Sequence, residues 1–451
     1  MPRRRDSVRS STLDRDTASG PSTATRSAAR DSATTRAAGR DGATVVDLPA
    51  RRPGRTVRNG TGPAERSSRP AGPVGPADRS SGSSGPSELV VRVLAKLEPG
   101  GAQLSALRVV RGLDDLGVRS RVLVGWASDD GLALAARMGV EVDVYGAAGD
   151  LQWRADEGFR RWLAPRLQGA CAVHAHMFGA WWAAAGAVPA GVPLVASEHN
   201  ALTWPTGPPS VRLADALARV DRFYAHGPGA RAAILAAGLD PRRMREGVSP
   251  LPDLGGAADP ALPSPRIVFA GRLHAEKGPD VLLDALALLP DAPPLQMLGD
   301  GAMRPALEAQ ADALGLRDRV TFRGWQARPS LTIAGASVLV VPSRDESWSQ
   351  TAVLGMAHGV PVIGTDVDGL PHTLGNDRGI VVPPEDPAAL ARAIDDVLAG
   401  RREIDLVGAR AYARRFATDR VAAGYAASYR ELASATALGE ASIPATNVVS
   451  A

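Results

Sequence analysis

The residues best suited to chemistry sit in a short run, Phe269-Ala270-Gly271-Arg272-Leu273-His274-Ala275-Glu276-Lys277-Gly278. Arg272 and Lys277 lie in a glycine-flanked loop at a spacing that lets both converge on one anion. A diphosphate leaving group calls for such cations, because its negative charge rises as the bond to a sugar breaks. Lysine is scarce here: the chain has only Lys96 and Lys277 and otherwise carries its positive charge on arginine. A lysine kept at position 277 therefore reads as a chemical requirement.

A second run is Ser343-Arg344-Asp345-Glu346-Ser347-Trp348-Ser349-Gln350-Thr351. It follows the apolar strand Ser337–Pro342 and leads into a helix expected to start near Gln350 or Thr351. Free backbone amides at a helix start attract phosphate. Glu346, just ahead of them, can accept hydrogen bonds from sugar hydroxyls; its plainer role is a helix cap or surface charge. A third stretch, Gly100-Gly101, separates the first strand from the first helix and lets backbone approach a ligand closely. No G-x-G-x-x-G accompanies it, which argues against a nicotinamide dehydrogenase.

The histidines divide into two groups. His174 and His176 end a strand and can face a cleft; no nearby Cys, Asp or Glu completes a ligand set, so no metal is expected there. His199 also closes a strand and points toward the cleft. His226, His358 and His372 read as surface or helix-end residues.

These residues need strands and helices to position them. Short apolar strands are expected at Glu88–Leu94, Ser120–Gly125, Val140–Val144, Ala172–Ala175, Leu194–Ser197 and Arg222–Ala225, with a helix from Ala102 to Leu116. Strand alternating with helix at this spacing means a parallel, doubly wound sheet. Together, 88–255 form one Rossmann-like unit. The Pro- and Gly-bearing stretch 252–265 reads as a linker. A second series follows with strands at Arg266–Ala270, Leu295–Gly299, Val320–Arg323, Ser337–Pro342 and Pro361–Gly364. Its helices lie near Asp280–Leu289, Arg304–Leu314 and Thr351–His358, and the unit spans 264–404. Carboxyl-terminal helices at 405–436 and a frayed end at 437–451 complete the α/β reading. Two such units bind ligand in the cleft between them, at the carboxyl ends of their strands.

Composition narrows the function classes. The 451 residues are 44% hydrophobic and 22% charged, ordinary for a globular protein. No run approaches the roughly 18 apolar residues of a membrane helix, and the basic start lacks the apolar stretch of an export signal. A cytoplasmic protein is expected, with peripheral membrane contact left open. The net charge of +4 is misleading as a whole, because residues 1–87 hold sixteen Arg against eight acids. The rest is mildly acidic, and nucleic-acid binding by it is not expected. Residues 1–87 lack core-forming side chains and should be disordered, either as an electrostatic arm or as a solvated extension dispensable for chemistry. Cys171, the only cysteine, sits in an apolar setting and reads as packing rather than a reactive thiol.

With these motifs in view, residues 88–436 resemble the retaining GT-B glycosyltransferases of glycosyltransferase family 4. The resemblance rests on Gly100-Gly101, His174–His176, His199, the G-R-L-x-x-E-K-G loop at 271–278, and Gly299-Asp300-Gly301. Phe322-Arg323-Gly324, Pro342-Ser343-x-x-Glu346, Gly359–Thr365 and Gly369-Leu370-Pro371 complete it in family order. It implies a nucleoside diphosphate sugar held by the carboxyl-terminal unit, with Arg272 and Lys277 on the diphosphate and Glu346 on the sugar. Backbone around Trp348, Ser349, Gln350 and Thr351 would support sugar and phosphate, and Gly324-Trp325 would lie near the base. Gly101 would approach the diphosphate from the other unit, and His199 would sit by the reacting face. The resemblance further implies retention of anomeric configuration, front-face attack and no cofactor or required metal. The acceptor, a small molecule such as an aminocyclitol or antibiotic, or an envelope glycan, would bind near Trp181-Trp182 and Trp204–Pro209. Core packing is the other reading of that Trp pair.

The chain departs from the family pattern at Leu354, where a second, ribose-gripping carboxylate is usual. It also departs at Ser347-Trp348-Ser349, usually Gly-Phe-Gly, and at Glu246-Gly247-Val248, usually Asn-Gly-Val. Leu354 is the best support for the alternative, a GT-B-shaped binding or scaffold protein without activity. It also raises tolerance of 2′-deoxyribose donors, unless Gln350, one turn earlier, holds the ribose.

Overall fold

The computed structural model describes residues 88–203, 210–252 and 254–438. The expectations for the tail 1–87, for the aromatic stretch Trp204–Pro209 and for the chain beyond 438 fall outside the described residues.

Seven strands form the first sheet: β1 (Leu89–Leu97), β2 (Arg119–Ala127), β3 (Val142–Val144), β4 (Ala172–His176), β5 (Leu194–Glu198), β6 (Arg222–Ala225) and β7 (Met244–Glu246). Between them run α1 (Gly101–Asp115), α2 (Asp129–Arg137), α3 (Glu157–Leu163), α4 (Phe178–Ala185), α5 (Leu213–Arg219) and α6 (Pro228–Ala236). The strands are parallel and ordered β3-β2-β1-β4-β5-β6-β7. The second sheet contains β8 (Ile267–Ala270), β9 (Leu295–Leu298), β10 (Val320–Phe322), β11 (Val338–Val341), β12 (Val362–Thr365) and β13 (Ile380–Val382). Its helices are α7 (Pro279–Ala287), α8 (Arg304–Ala313), α9 (Ser330–Ile333), α10 (Gln350–Ala357), α11 (Leu370–Leu374) and α12 (Pro387–Leu398). Its strands are also parallel, ordered β10-β9-β8-β11-β12-β13.

Helices on both faces explain why the central strands read as unbroken apolar runs rather than as alternation. In β11, Val338, Leu339, Val340 and Val341 are all buried. Strand order reverses between β1 and β4 and again between β8 and β11. At such switch points the loops leave in opposite directions and open a crevice at the carboxyl edge. Gly100-Gly101 and His176-Met177 exit at the first crevice; Gly271–Lys277 and Ser343–Glu346 exit at the second.

The last helices divide between the two halves. α13 (Leu406–Ala413) packs on α10, whereas α14 (Thr418–Ala437) returns to α1 beside the first sheet. Arg222 of β6 anchors α14, donating from both terminal nitrogens to the Glu431 carboxylate at 3.0 Å and also to Ser428 Oγ at 2.7 Å. Bidentate geometry of this kind is among the stronger ionic contacts. Cys171 is half-buried, and burial raises its thiol above the ordinary range.

Candidate active site

The second sheet supplies a charged wall. After β8 the chain makes a tight turn and reaches Gly278, whose φ is +60°. A Cβ there would lie 2.0 Å from the Pro342 carbonyl oxygen, so glycine lets this loop lie against the exit of β11. The result is a contact between the two runs singled out above. Lys277 Nζ donates to Glu346 Oε2 at 2.9 Å, and Ser343 Oγ donates to the same oxygen at 3.2 Å. Both side chains of the pair are largely buried, 20% and 13% exposed, so solvent screens them less than a surface pair. Arg272 stands nearer solvent and pairs with Glu276.

Ser349 caps α10, its Oγ accepting from Ala352 N at 3.2 Å, and this fixes the helix start behind Glu346. Thr351 Oγ1 donates to the Ala270 carbonyl at 3.0 Å, joining that helix to the end of β8. The Trp348 ring packs on Phe416, with centroids 5.0 Å apart. Gly324 adopts φ +66° and its carbonyl accepts from Gly299 N at 2.8 Å. Beside it Trp325 is half exposed, under the Arg137 guanidinium of α2 at 5.6 Å.

The first sheet supplies a wall of imidazoles. His174 and His176 stack with centroids 4.3 Å apart. His176 Nε2 accepts from Arg92 at 2.7 Å, and Arg92 also donates to the Tyr429 hydroxyl of α14 at 2.8 Å. His174 bonds Tyr429 through Nδ1 at 2.6 Å and Ser197 Oγ through Nε2 at 2.7 Å. Burial, reinforced by nearby positive charge including Arg92, drives both histidines well below the ordinary imidazole range. The same causes lower His199 to about 4. All three are neutral at physiological pH. Glu198 is fully buried, and burial pushes its carboxyl up to about 7 despite hydrogen bonds that favour ionisation. Those bonds come from Trp181 Nε1 at 3.1 Å, His199 N at 3.0 Å and Asn200 Nδ2 at 3.4 Å.

The walls touch. Gln350 Nε2 donates to the Gly101 carbonyl at 2.7 Å, while Gln350 Oε1 accepts from Arg108 of α1 at 3.0 Å. Asp368 Oδ1 accepts from Gly229 N, in the first turn of α6, at 2.7 Å.

Several expectations change. His226 is not a surface residue: it is 2% exposed and stacks on His199. Trp181 is fully buried in the core of the first half, its indole N–H used by Glu198, so an acceptor sugar cannot stack on it; Trp182 is half-buried. Leu354 is 8% exposed within the apolar cluster that includes Leu339, Val353 and Met356. Both polar ends of Gln350 are engaged, so its side chain bridges the cleft here. Sequence reasoning passed over Arg92, Glu198 and Tyr429, and gave Ser343 a place in a motif but no role of its own. Arg92 left a signal: a lone charge inside Val90-Val91-Arg92-Val93-Leu94 must be buried with the strand.

Two parallel switch-point sheets, each with helices on both faces and a crevice at the carboxyl edge, define the architecture of the GT-B glycosyltransferases. Residues 264–400 match the family described as Glycosyl transferases group 1, and residues 99–246 match Glycosyltransferase Family 4. Two glycosyltransferase family models thus match successive parts of the chain, one on each sheet. A D-inositol 3-phosphate glycosyltransferase of Xylanimonas cellulosilytica is 41% identical over 169 residues, which covers 36% of this chain and 40% of the relative. One from Jonesia denitrificans is 38% identical over 178 residues, covering 36% and 42%. The match thus spans about two fifths of the length of these relatives. Among solved structures, Anabaena HepE in complex with UDP and glucose aligns with a TM-score of 0.63 at 20% identity, over 75% of this chain and 99% of that one. WaaG, a glycosyltransferase involved in lipopolysaccharide biosynthesis, aligns at 0.55 and 18%, over 75% and 98%. These likenesses show the GT-B fold. Among the described residues, no helix is long and apolar enough to cross a membrane.

Proposed function

We propose that this chain transfers a sugar from a nucleoside diphosphate sugar to an acceptor hydroxyl with retention of configuration. The observation that carries the reading is the Lys277–Glu346 contact of 2.9 Å at the second switch point, beside the capped start of α10. It sets a cation for the diphosphate next to a carboxylate for the sugar hydroxyls. The two glycosyltransferase model matches support the same donor class, as does the UDP bound by the structurally similar HepE.

In this reading Lys277 and Arg272 neutralise the diphosphate as the anomeric C–O bond breaks, together with the amides at the start of α10. The acceptor oxygen forms its bond on the same face, and its proton passes to the departing phosphate oxygen. His199 lines that face as a neutral imidazole, able to hydrogen-bond without adding charge. The positive field comes from side chains and backbone, so no metal ion is required. The inositol-phosphate relatives favour a small polyol acceptor, of the cyclitol or aminocyclitol class, over an envelope glycan.

The test is release of nucleoside diphosphate from UDP-, GDP- and TDP-glucose by the full chain, with and without inositol phosphate, against Lys277→Ala as control. Release that vanishes in the variant supports the reading. Absence of cleavage, with UDP still bound, would favour the scaffold alternative that Leu354 suggests.

A further inference from the structure

We propose that His226 is a positioning residue that holds the imidazole of His199 in place for the transfer step. This rests on the reading that puts His199 at the reacting face of the donor sugar.

The two residues follow adjacent parallel strands. Glu198 and Ala225 are register partners, and His226 N donates to the Glu198 carbonyl at 2.9 Å, so the strand ends are locked together. Their rings leave the sheet side by side, with centroids 3.8 Å apart and planes 23° from parallel. On the His199 ring the next neighbour, His176, is looser, at 6.0 Å and 20°. The buried Nε2 of the His199 ring has no hydrogen-bond partner among the described residues. No bond at Nε2 orients this ring, and of the two rings stacked on it that of His226 is the closer.

The position of His226 is itself tightly defined. A Cβ on Gly247 would lie 2.4 Å from His226 Cδ2, so the imidazole uses the space that a side chain at 247 would fill. Neither ring nitrogen of His226 has a hydrogen-bond partner, although the residue is 2% exposed. A buried imidazole in that state gains nothing from its polar atoms. What it offers His199 is a flat aromatic face. A phenyl ring can do the same; an aliphatic or absent side chain cannot. Catalytic groups lose rate steeply when their supporting neighbours let them drift, because the productive geometry tolerates only small displacements.

The experiment combines ring spectroscopy with kinetics on the full chain. With histidine labelled at the ring Cε1, His199→Ala assigns the His199 signal among the seven histidines. The expected result is a stacked, ring-shifted His199 signal that persists in His226→Phe but moves and broadens in His226→Ala. Cleavage of UDP-glucose, or of whichever GDP or TDP sugar is cleaved fastest, is then measured. The kcat of His226→Ala should fall about tenfold or more, with donor KM and UDP affinity within about twofold and His226→Phe within about threefold of wild type. If His226→Ala does not fold, His226→Leu replaces it, with the same expectation. An unmoved His199 signal, an unchanged kcat in His226→Ala, or a Phe variant as impaired as the Ala variant overturns the proposal. If His199→Ala leaves kcat intact while the signal behaves as expected, the stack stands and the reading of His199 at the reacting face fails.

Discussion

The two walls of the cleft are built from the same topology yet differ in kind. On the second sheet, the switch-point loops present Lys277, Glu346 and the start of α10, charged groups within reach of solvent. On the first, β4 carries His174 and His176 and β5 and β6 lead into His199 and His226, neutral rings of which the first two bond the buried guanidinium of Arg92. The comparison teaches how a cleft can divide the demands of group transfer. A leaving diphosphate needs fixed positive charge, whereas the face where a bond forms needs shape and dryness without a competing counter-charge. The parallel folds supply the same kind of crevice twice, and side chains at the strand ends decide which demand each meets.

The largest effect should come from breaking the charged wall. Lys277→Ala removes the cation and leaves Glu346 without its ionic partner, a loss on the order of 1.5–3 kcal/mol or more of transition-state binding. Donor cleavage should fall roughly tenfold to a hundredfold in kcat/KM. Arg272→Ala, at the more exposed edge, should cost less, at about tenfold. Near-normal turnover in both variants would mean that this wall does not hold the diphosphate.

The neutral wall should show itself next, in stability against pH. His174, His176, His199 and His226 all have native values below the free imidazole value of 6.5. Each adds stability that is fully present above 6.5 and is lost progressively as pH falls from 6.5 to its lowered value. Glu198 works the other way: raised from 4.5 to about 7, it adds stability at low pH that is lost as pH rises through about 7. Four groups against one make Tm drop as pH goes from 7 to 5, and His226→Phe should flatten that drop. A Tm level or rising over this range would show that the rings are not held neutral.

These walls were unequally legible in the sequence. The charged wall was readable because its residues sit in two short loops, 271–278 and 343–351, whose glycines and polar turns announce strand exits. The imidazole wall was only half readable. His174, His176 and His199 ended expected strands, but His226 read as a surface or helix-end residue; it does precede the cap of α6, yet it is buried. Only the pairing of β5 with β6 brings it onto His199. Arg92 and Tyr429 meet through a helix more than three hundred residues away in sequence, and no local pattern records that return. The strands β7 and β13 were not among those expected; β7, Met244-Arg245-Glu246, has no apolar run to announce it.

A smaller effect concerns the nucleotide. Leu354 is apolar and packed in the core, and both polar atoms of the Gln350 amide are engaged across the cleft, so neither offers the ribose a free hydrogen-bonding group. Matched UDP and TDP donors should then differ by about tenfold or less in kcat/KM, since a hydrogen bond to a charged group is typically worth about 1.5–3 kcal/mol. A strong preference for the ribonucleotide, unchanged in Leu354→Glu, would point to another ribose contact, with Gln350 released from Gly101 the first candidate.

The most direct measurement follows the anomeric proton of the sugar released from an α-linked donor such as UDP-glucose, by NMR during the first turnovers, with excess chelator present. The account expects the α anomer to form first and the rate to match that without chelator. A β anomer as first product, or activity abolished by chelator and restored by magnesium or manganese, would contradict it.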